Sequence, residues 1–215
     1  MMDGEWRRAR KPEQRAERER QILGAAERLF AELPYEGVTM QMVARDTGIS
    51  QSNLYRYFLT REEMFLRLFT EDLNRWLEDI LTSLGSGLSV GAFSERWTEI
   101  LLRHERLLEL HPHLALSLER NASESVYRNA KRSFLSLIER GMPVLKAALP
   151  FRGDRDVLAF LETHLALTAG LYPMSKYSPM QRSVLLDPEL SPLKIDFGAA
   201  YRNTIETYLN GLFSP

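Results

Sequence analysis

Residues 39–61, TMQMVARDTGISQSNLYRYFLTR, decide the fold. Thr39 stands at an N-cap position, where its hydroxyl can accept a free backbone N–H of the next turn. Met40, Val43 and Ala44 give the short helix that follows an apolar face. Gly48 stops that helix, since glycine takes the left-handed conformation beyond a helix end cheaply. Ser50 then caps a second helix, Gln51 to about Tyr57, which turns Leu54 and Phe58 inward. Thr60 followed by Glu63 is a capping-box spacing and opens a third, longer helix. Two short helices, a tight glycine turn and an apolar helix behind them make a helix-turn-helix, whose second helix enters a DNA major groove. That motif needs a small residue where the helices cross, glycine in the turn and apolar plugs beneath. Ala44, Gly48, and Ile49 with Leu54 meet those needs.

The outer face of the second helix is the other half of the reading. Gln51, Ser52, Asn53, Tyr55, Arg56 and Tyr57 are hydrogen-bonding or aromatic, and none is acidic. Gln and Asn pair bidentately with adenine and Arg with guanine, while hydroxyls take phosphates. A carboxylate on this face would repel phosphate. A helical protein-interaction module with a vestigial helix-turn-helix is the competing reading, and it would tolerate acidic residues there.

Upstream, Ile22, Ala25, Ala26, Leu29, Phe30 and Leu33 recur at three- and four-residue steps, the period of a helix that Pro34 ends. Downstream, helices are expected over about 60–84, from Ser89, to about Leu118, from about Ser123 through Leu149 with a kink at Pro143, from Asp154 to about Leu171, and from about Ile195 to Leu212. Residues 172–194, with four prolines, read as a long irregular connection. No segment alternates like a strand. The expected class is all-α with about nine helices. Residues 1–58 form a three-helix head, with 1–12 a disordered basic tail, and residues 59–215 form a helical ligand-binding and dimerisation body.

Composition sets the outer bounds. The 215 residues carry 28 basic and 29 acidic side chains, so any affinity for a polyanion must be local. Residues 1–61 hold 11 basic and 9 acidic residues, and the rest 17 and 20, which places the positive excess at the head. There is no cysteine, which excludes disulfides, thiolate nucleophiles and thiolate metal sites. No hydrolase, metalloprotease, P-loop or dinucleotide motif occurs, so no catalytic residue and no cofactor is expected. His111 and His113 flank Pro112 and lack partners for a metal. The apolar runs are far shorter than a bilayer span and the start lacks a secretory h-region, so a cytoplasmic protein without membrane contact is expected.

Residues 30–65, FAELPYEGVTMQMVARDTGISQSNLYRYFLTREEMF, resemble the TetR (tetracycline-repressor-like) family of bacterial transcriptional regulators. The matching positions are Phe30, Gly37, Thr39, Val43-Ala44, Gly48-Ile49-Ser50, Leu54-Tyr55 and Phe58, with Arg61 where the family usually has lysine. The resemblance implies a homodimer whose two heads bind a near-palindromic double-stranded operator and whose bodies bind a small-molecule effector that releases the DNA. It implies phosphate contacts from Thr39, Tyr55 and Arg61, and base reading by or beside Gln41, Gln51, Ser52, Asn53 and Arg56. Tyr57 would touch the DNA backbone, Ser50 would cap the recognition helix, and Arg7, Arg8, Arg10 and Lys11 would form a minor-groove arm.

Two C-terminal helices resemble the family's dimer elements. Their candidate interface residues are Leu158, Leu161, Leu165, Thr168 and Leu171 on the first, and Ile205, Tyr208, Leu209 and Leu212 on the second. Candidate ligand residues are aromatic or polar-tipped side chains on apolar faces: Trp97, His104, Phe134, His164 and Tyr172.

Overall fold

The computed structural model describes residues 3–214, and side chains from Pro12 onward. The basic cluster at Arg7, Arg8, Arg10 and Lys11 therefore lies outside the described side chains, although the first helix runs through it. Among the described residues all regular structure is helical, in ten α-helices. They are α1 (Asp3–Glu32), α2 (Met40–Asp46), α3 (Gln51–Leu54), α4 (Arg61–Ser83), α5 (Val90–Leu102), α6 (Glu105–His113), α7 (Glu124–Ala148), α8 (Asp154–Ser175), α9 (Pro179–Val184) and α10 (Phe197–Phe213). A π-helical turn, Leu114–Leu118, follows α6.

The chain divides into two compact units. The first comprises Met1–Leu68 and Ser117–Tyr127, and the second Phe69–Leu116 and Arg128–Pro215. In the first, α1 packs on α2 and α2 on α3 around Ile22, Ala25, Ala26, Val43 and Leu54. Phe65 of α4 meets Phe30 edge-on at 5.3 Å and Tyr35 at 5.0 Å. The segment 117–127 seals this unit with three polar bonds. The Tyr35 hydroxyl lies 3.2 Å from Ser117 Oγ, the Thr60 hydroxyl donates to the Asn121 carbonyl at 3.2 Å, and the Ser123 N–H donates to Glu63 at 2.9 Å.

The capping box read at Thr60 forms with one change. Thr60 Oγ1 accepts the Glu63 N–H at 3.1 Å, but the Glu63 carboxylate reaches one residue further back, to the Leu59 N–H at 2.9 Å. Its second oxygen is then open to Ser123.

In the second unit α8 packs on α6 and α10, and α10 on α5. Asp72, 5% exposed, accepts both Nε and Nη2 of Arg106 at 2.7 and 2.6 Å, and this bidentate pair joins α4 to α6. Ser89 caps α5 and Asp196 caps α10 through their side-chain oxygens. The 172–194 stretch is more ordered than its prolines suggest. α8 continues through Pro173 to Ser175, and a capping box at Ser178 and Gln181 starts α9. Proline at the first position of α9 supplies a residue whose missing N–H would have had no helical partner. α8 is also long and apolar enough, by length and composition, to cross a bilayer, which runs of apolar residues did not reveal. Its buried side, with Val157, Phe160, His164, Thr168 and Tyr172, belongs to the core of the unit.

Candidate DNA interface and effector cavity

The turn between α2 and α3 is a Schellman closure. Gly48 adopts φ +66°, its N–H meets the Arg45 carbonyl at 3.2 Å, and the Ile49 N–H meets the Ala44 carbonyl at 3.1 Å. A side chain at 48 would be strained by that φ, so the sharp turn depends on glycine. Thr39 caps α2 through Met42 N–H at 3.3 Å, and Ser50 caps α3 through Asn53 N–H at 3.3 Å. Leu54 is fully enclosed. α3 is one turn shorter than expected, because Tyr55 to Tyr57 continue as turns.

This geometry leaves Gln41, Gln51, Ser52, Asn53, Tyr55 and Arg56 exposed and Tyr57 half-buried. Gln51 Nε2 donates to the Tyr55 hydroxyl at 3.2 Å, which aligns the two side chains on one outer face. Arg15 of α1 lies 5.4 Å from the Tyr57 ring centre and donates to the Arg56 carbonyl at 3.4 Å. Arg15, Arg18, Ile49, Asn53, Arg56 and Tyr57 together line an open cleft of about 460 Å³. Three guanidinium groups line it beside α3, those of Arg15 and Arg56 exposed and that of Arg18 half-buried, and Arg15 Nε also meets Glu19 at 3.1 Å. Arg15 and Arg18 were missed in the sequence. The signal was their spacing, since they continue the Ile22 stripe one turn beyond the point where the core ends.

Arg61 is placed differently from the phosphate contact expected of it. Its guanidinium lies 4.4 Å from the Tyr35 ring centre and donates to the carbonyls of Tyr35, Glu36 and Val38 at 3.3, 3.3 and 3.4 Å. Nη2 also meets Glu62 at 2.9 Å. The backbone bend at 35–38 places three carbonyls around the start of α4; Nη1 alone is shared among them while Nε and Nη2 hold Glu62.

The second unit contains a cavity of about 380 Å³, of small-molecule size, walled by α4, α5, α6, α7 and α8. Trp97, Phe134 and His164 line it as expected, joined by Phe69, Trp76 and His111 among others. Two expected residues do not. His104 sits between α5 and α6 with Nε2 2.9 Å from Asp79, and Tyr172 packs edge-on against Phe197 at 5.2 Å. His111 spends its Nδ1–H on the Leu107 carbonyl at 2.8 Å. Burial pushes its pKa down to about 4, so it is neutral near pH 7. His164 is pushed down as well, by burial first and by His111 second. Among the described residues no group of three or more His, Asp or Glu side chains could hold a metal.

The proposed dimer residues fall into two sets. Leu158 and Leu165 are exposed, at 39% and 41%, and Leu161, Leu171, Tyr208 and Leu212 are partly exposed. Thr168, Ile205 and Leu209 are fully enclosed within the protomer and have no surface to offer a partner. Over its middle α8 carries few polar residues on its outer side, so the leucine period could not tell its faces apart, whereas α10 marks its outer side with Arg202, Asn203, Thr204, Thr207 and Asn210. Leu161 and Leu165 also line the cavity.

Comparison with known proteins agrees with both halves. Residues 22–68 match the family model "Bacterial regulatory proteins, tetR family", and residues 70–215 match "Tetracyclin repressor-like, C-terminal domain". The chain is 25% identical over 165 residues to the HTH-type transcriptional regulator RutR of Escherichia coli K12, a match that covers 77% of this chain and 66% of RutR. It is 31% identical over 96 residues to the HTH-type transcriptional repressor AcnR of Corynebacterium efficiens, covering 43% of this chain and 51% of AcnR. Among solved structures, Salmonella enterica GusR superposes with a TM-score of 0.54 at 19% identity, covering 90% of this chain and 94% of GusR. The fatty acid degradation regulator FadR of Bacillus halodurans superposes with 0.53 at 17% identity, over 90% and 98%. At such identities these structures speak for the fold alone.

Proposed function

Because this chain belongs to the TetR family of bacterial transcriptional regulators, we propose that it binds a near-palindromic operator as a homodimer and represses transcription until a small molecule enters its second unit. The observation that carries this reading is the outer face of α3. A glycine-closed turn presents Gln51, Ser52, Asn53, Tyr55 and Arg56 to solvent without a carboxylate, beside the Arg15 and Arg18 guanidinium groups. Bases would be read by Gln51, Asn53 and Arg56, with Gln41 and Ser52 beside them. Phosphates would be held by Thr39, Tyr55, Tyr57, Arg15 and Arg18. Ser50 keeps its capping role, and Arg61 acts from within, by fixing the 35–38 bend.

One four-residue helix gives little specificity, so two half-sites about one helical turn apart are required. The exposed leucines of α8, Leu158 and Leu165, support the dimer. The repressor reading is supported by the printed name of AcnR, and a protein that binds an operator would work in the cytoplasm. The cavity walled by Trp76, Trp97 and His164 is the effector site in this reading.

Selection of bound DNA from a random pool by the full-length protein tests it. The expected product is an inverted repeat. A pool that enriches no repeat after several rounds would exclude operator recognition.

A further inference from the structure

We propose that the cavity selects an uncharged, largely apolar molecule that carries a carbonyl-type oxygen, and that the indole N–H of Trp76 and the Nε2–H of His164 hold this oxygen. The proposal deepens the effector reading and takes from it only that the cavity binds a small molecule.

Its first support is an unbalanced hydrogen-bond count. Trp76 Nε1 and His164 Nε2 are both buried and have no hydrogen-bond partner within the protein. Trp76 is 6% exposed and His164 4% exposed, and both rings line the cavity. Unpaired buried N–H groups are costly, so a pair of them on one cavity wall points to an acceptor that arrives from outside the chain. The two rings stack with centroids 4.9 Å apart and planes 9° from parallel, so both unpaired nitrogens belong to rings in direct contact on the cavity wall.

The second support is the ring proton of His164. Trp97 Nε1 donates to the Tyr201 hydroxyl at 2.9 Å, and that hydroxyl is bonded in turn to His164 Nδ1. We assign the Tyr201 hydrogen to Nδ1, which puts the single proton of the neutral imidazole on Nε2. The relay from Trp97 through Tyr201 to His164 thus ends in a donor at the cavity.

The third support is the rest of the wall. It contains no carboxylate, and its only cation, Lys131, is exposed to solvent, as are Leu135 on the same helix and Leu165 of α8. These residues mark the mouth. Deeper in, the lining is Phe69, Leu73, Leu77, Ile80 and Leu145 with the neutral histidines. A net charge carried to that depth would meet no countercharge, which disfavours a carboxylate or an amine at the inner end.

The test uses full-length protein and three probes of similar bulk: benzophenone, diphenylmethane and biphenyl-4-carboxylate. Calorimetry should show benzophenone binding about tenfold tighter than diphenylmethane, as one net hydrogen bond provides. The Trp76 indole N–H resonance should move downfield with benzophenone and stay with diphenylmethane. Trp76→Phe should bring the two affinities together while the melting curve stays cooperative. Equal affinities in the wild type, tighter binding of the carboxylate, or no binding of any probe would each overturn the proposal. The DNA readout is separate. If benzophenone binds with this signature and the selected DNA stays bound, the cavity chemistry stands and the effector reading fails.

Discussion

Glu63 and Ser123, sixty residues apart in the chain, share a half-buried hydrogen bond of 2.9 Å, and the other Glu63 oxygen holds the Leu59 N–H at 2.9 Å. Burial pushes this carboxyl up, but the bonds from Ser123 and Leu59 outweigh it and hold its pKa below the ordinary 4.5. Glu63→Gln keeps one acceptor and turns an amide N–H₂ toward a backbone N–H. It should cost the first unit about 1–3 kcal/mol, read as faster amide exchange at Leu59 and Ser123. A depressed carboxyl pKa stabilises fully above the unfolded value and is lost as pH falls through the folded one. The wild-type advantage over the glutamine variant should therefore fade on acidification below the ordinary carboxyl pKa.

Arg61 separates a structural cation from a phosphate contact. Arg61→Lys keeps the charge but gives up the planar group that holds the carbonyls of Tyr35, Glu36 and Val38 through Nη1 and Glu62 through Nε and Nη2 at once. A lower melting temperature with an unchanged salt slope of DNA binding is expected. A slope reduced by about one would instead make Arg61 a phosphate ligand.

Arg15 and Arg56 should behave in the opposite way. Both are exposed on the α3 cleft, so alanine at either should leave the melting curve in place. Arg15→Ala should lower the salt slope by about one for every sequence tested. Arg56→Ala should cost roughly 1–3 kcal/mol on the selected operator and less on unrelated DNA. Quantitative gel shifts over a salt series measure both.

The neutral histidines make the second unit acid-labile. With His111 near 4 in the folded state against an ordinary 6.5, the unfolded chain binds more protons between those values, so stability falls as pH drops through that window. The loss from His111 alone is on the order of 3 kcal/mol, and His164 moves in the same direction. His111→Phe should flatten the decline in denaturant midpoint between pH 6.5 and 4.

Leu158→Glu places a charge on the exposed side of α8 and should convert the proposed dimer to monomer in light scattering without lowering thermal stability much. Leu209→Ala should do the reverse. It opens a cavity inside the protomer at a cost of about 2–5 kcal/mol and leaves the association state alone.

The all-helical class and the helix-turn-helix were legible because their signals are local: Thr39, Gly48 and Ser50 announce caps and a stop within a few residues. The exposed reading face followed from the same local register. What escaped were consequences of long-range docking. Arg61 has the charge that a phosphate site needs, and only the 35–38 carbonyls around it reveal its other use. Trp76 follows the helical period of α4 like any core residue, and nothing in its neighbours in sequence says that its N–H lacks an acceptor. His111 beside Pro112 looks like a helix-end turn until α8 covers it. Thr168 and Leu165 lie three residues apart on one helix, yet one is sealed and the other open, a difference set by α10 and not by α8.

The seal that 117–127 places on the first unit also sets an order of events during synthesis. A ribosome that has released only α1 to α4 has made a head whose Tyr35 hydroxyl, Thr60 hydroxyl and Glu63 carboxylate still await Ser117, Asn121 and Ser123. The nascent head must therefore stay open until residues 84–123 have emerged, and closing that long loop carries an entropic cost that a contiguous three-helix domain avoids.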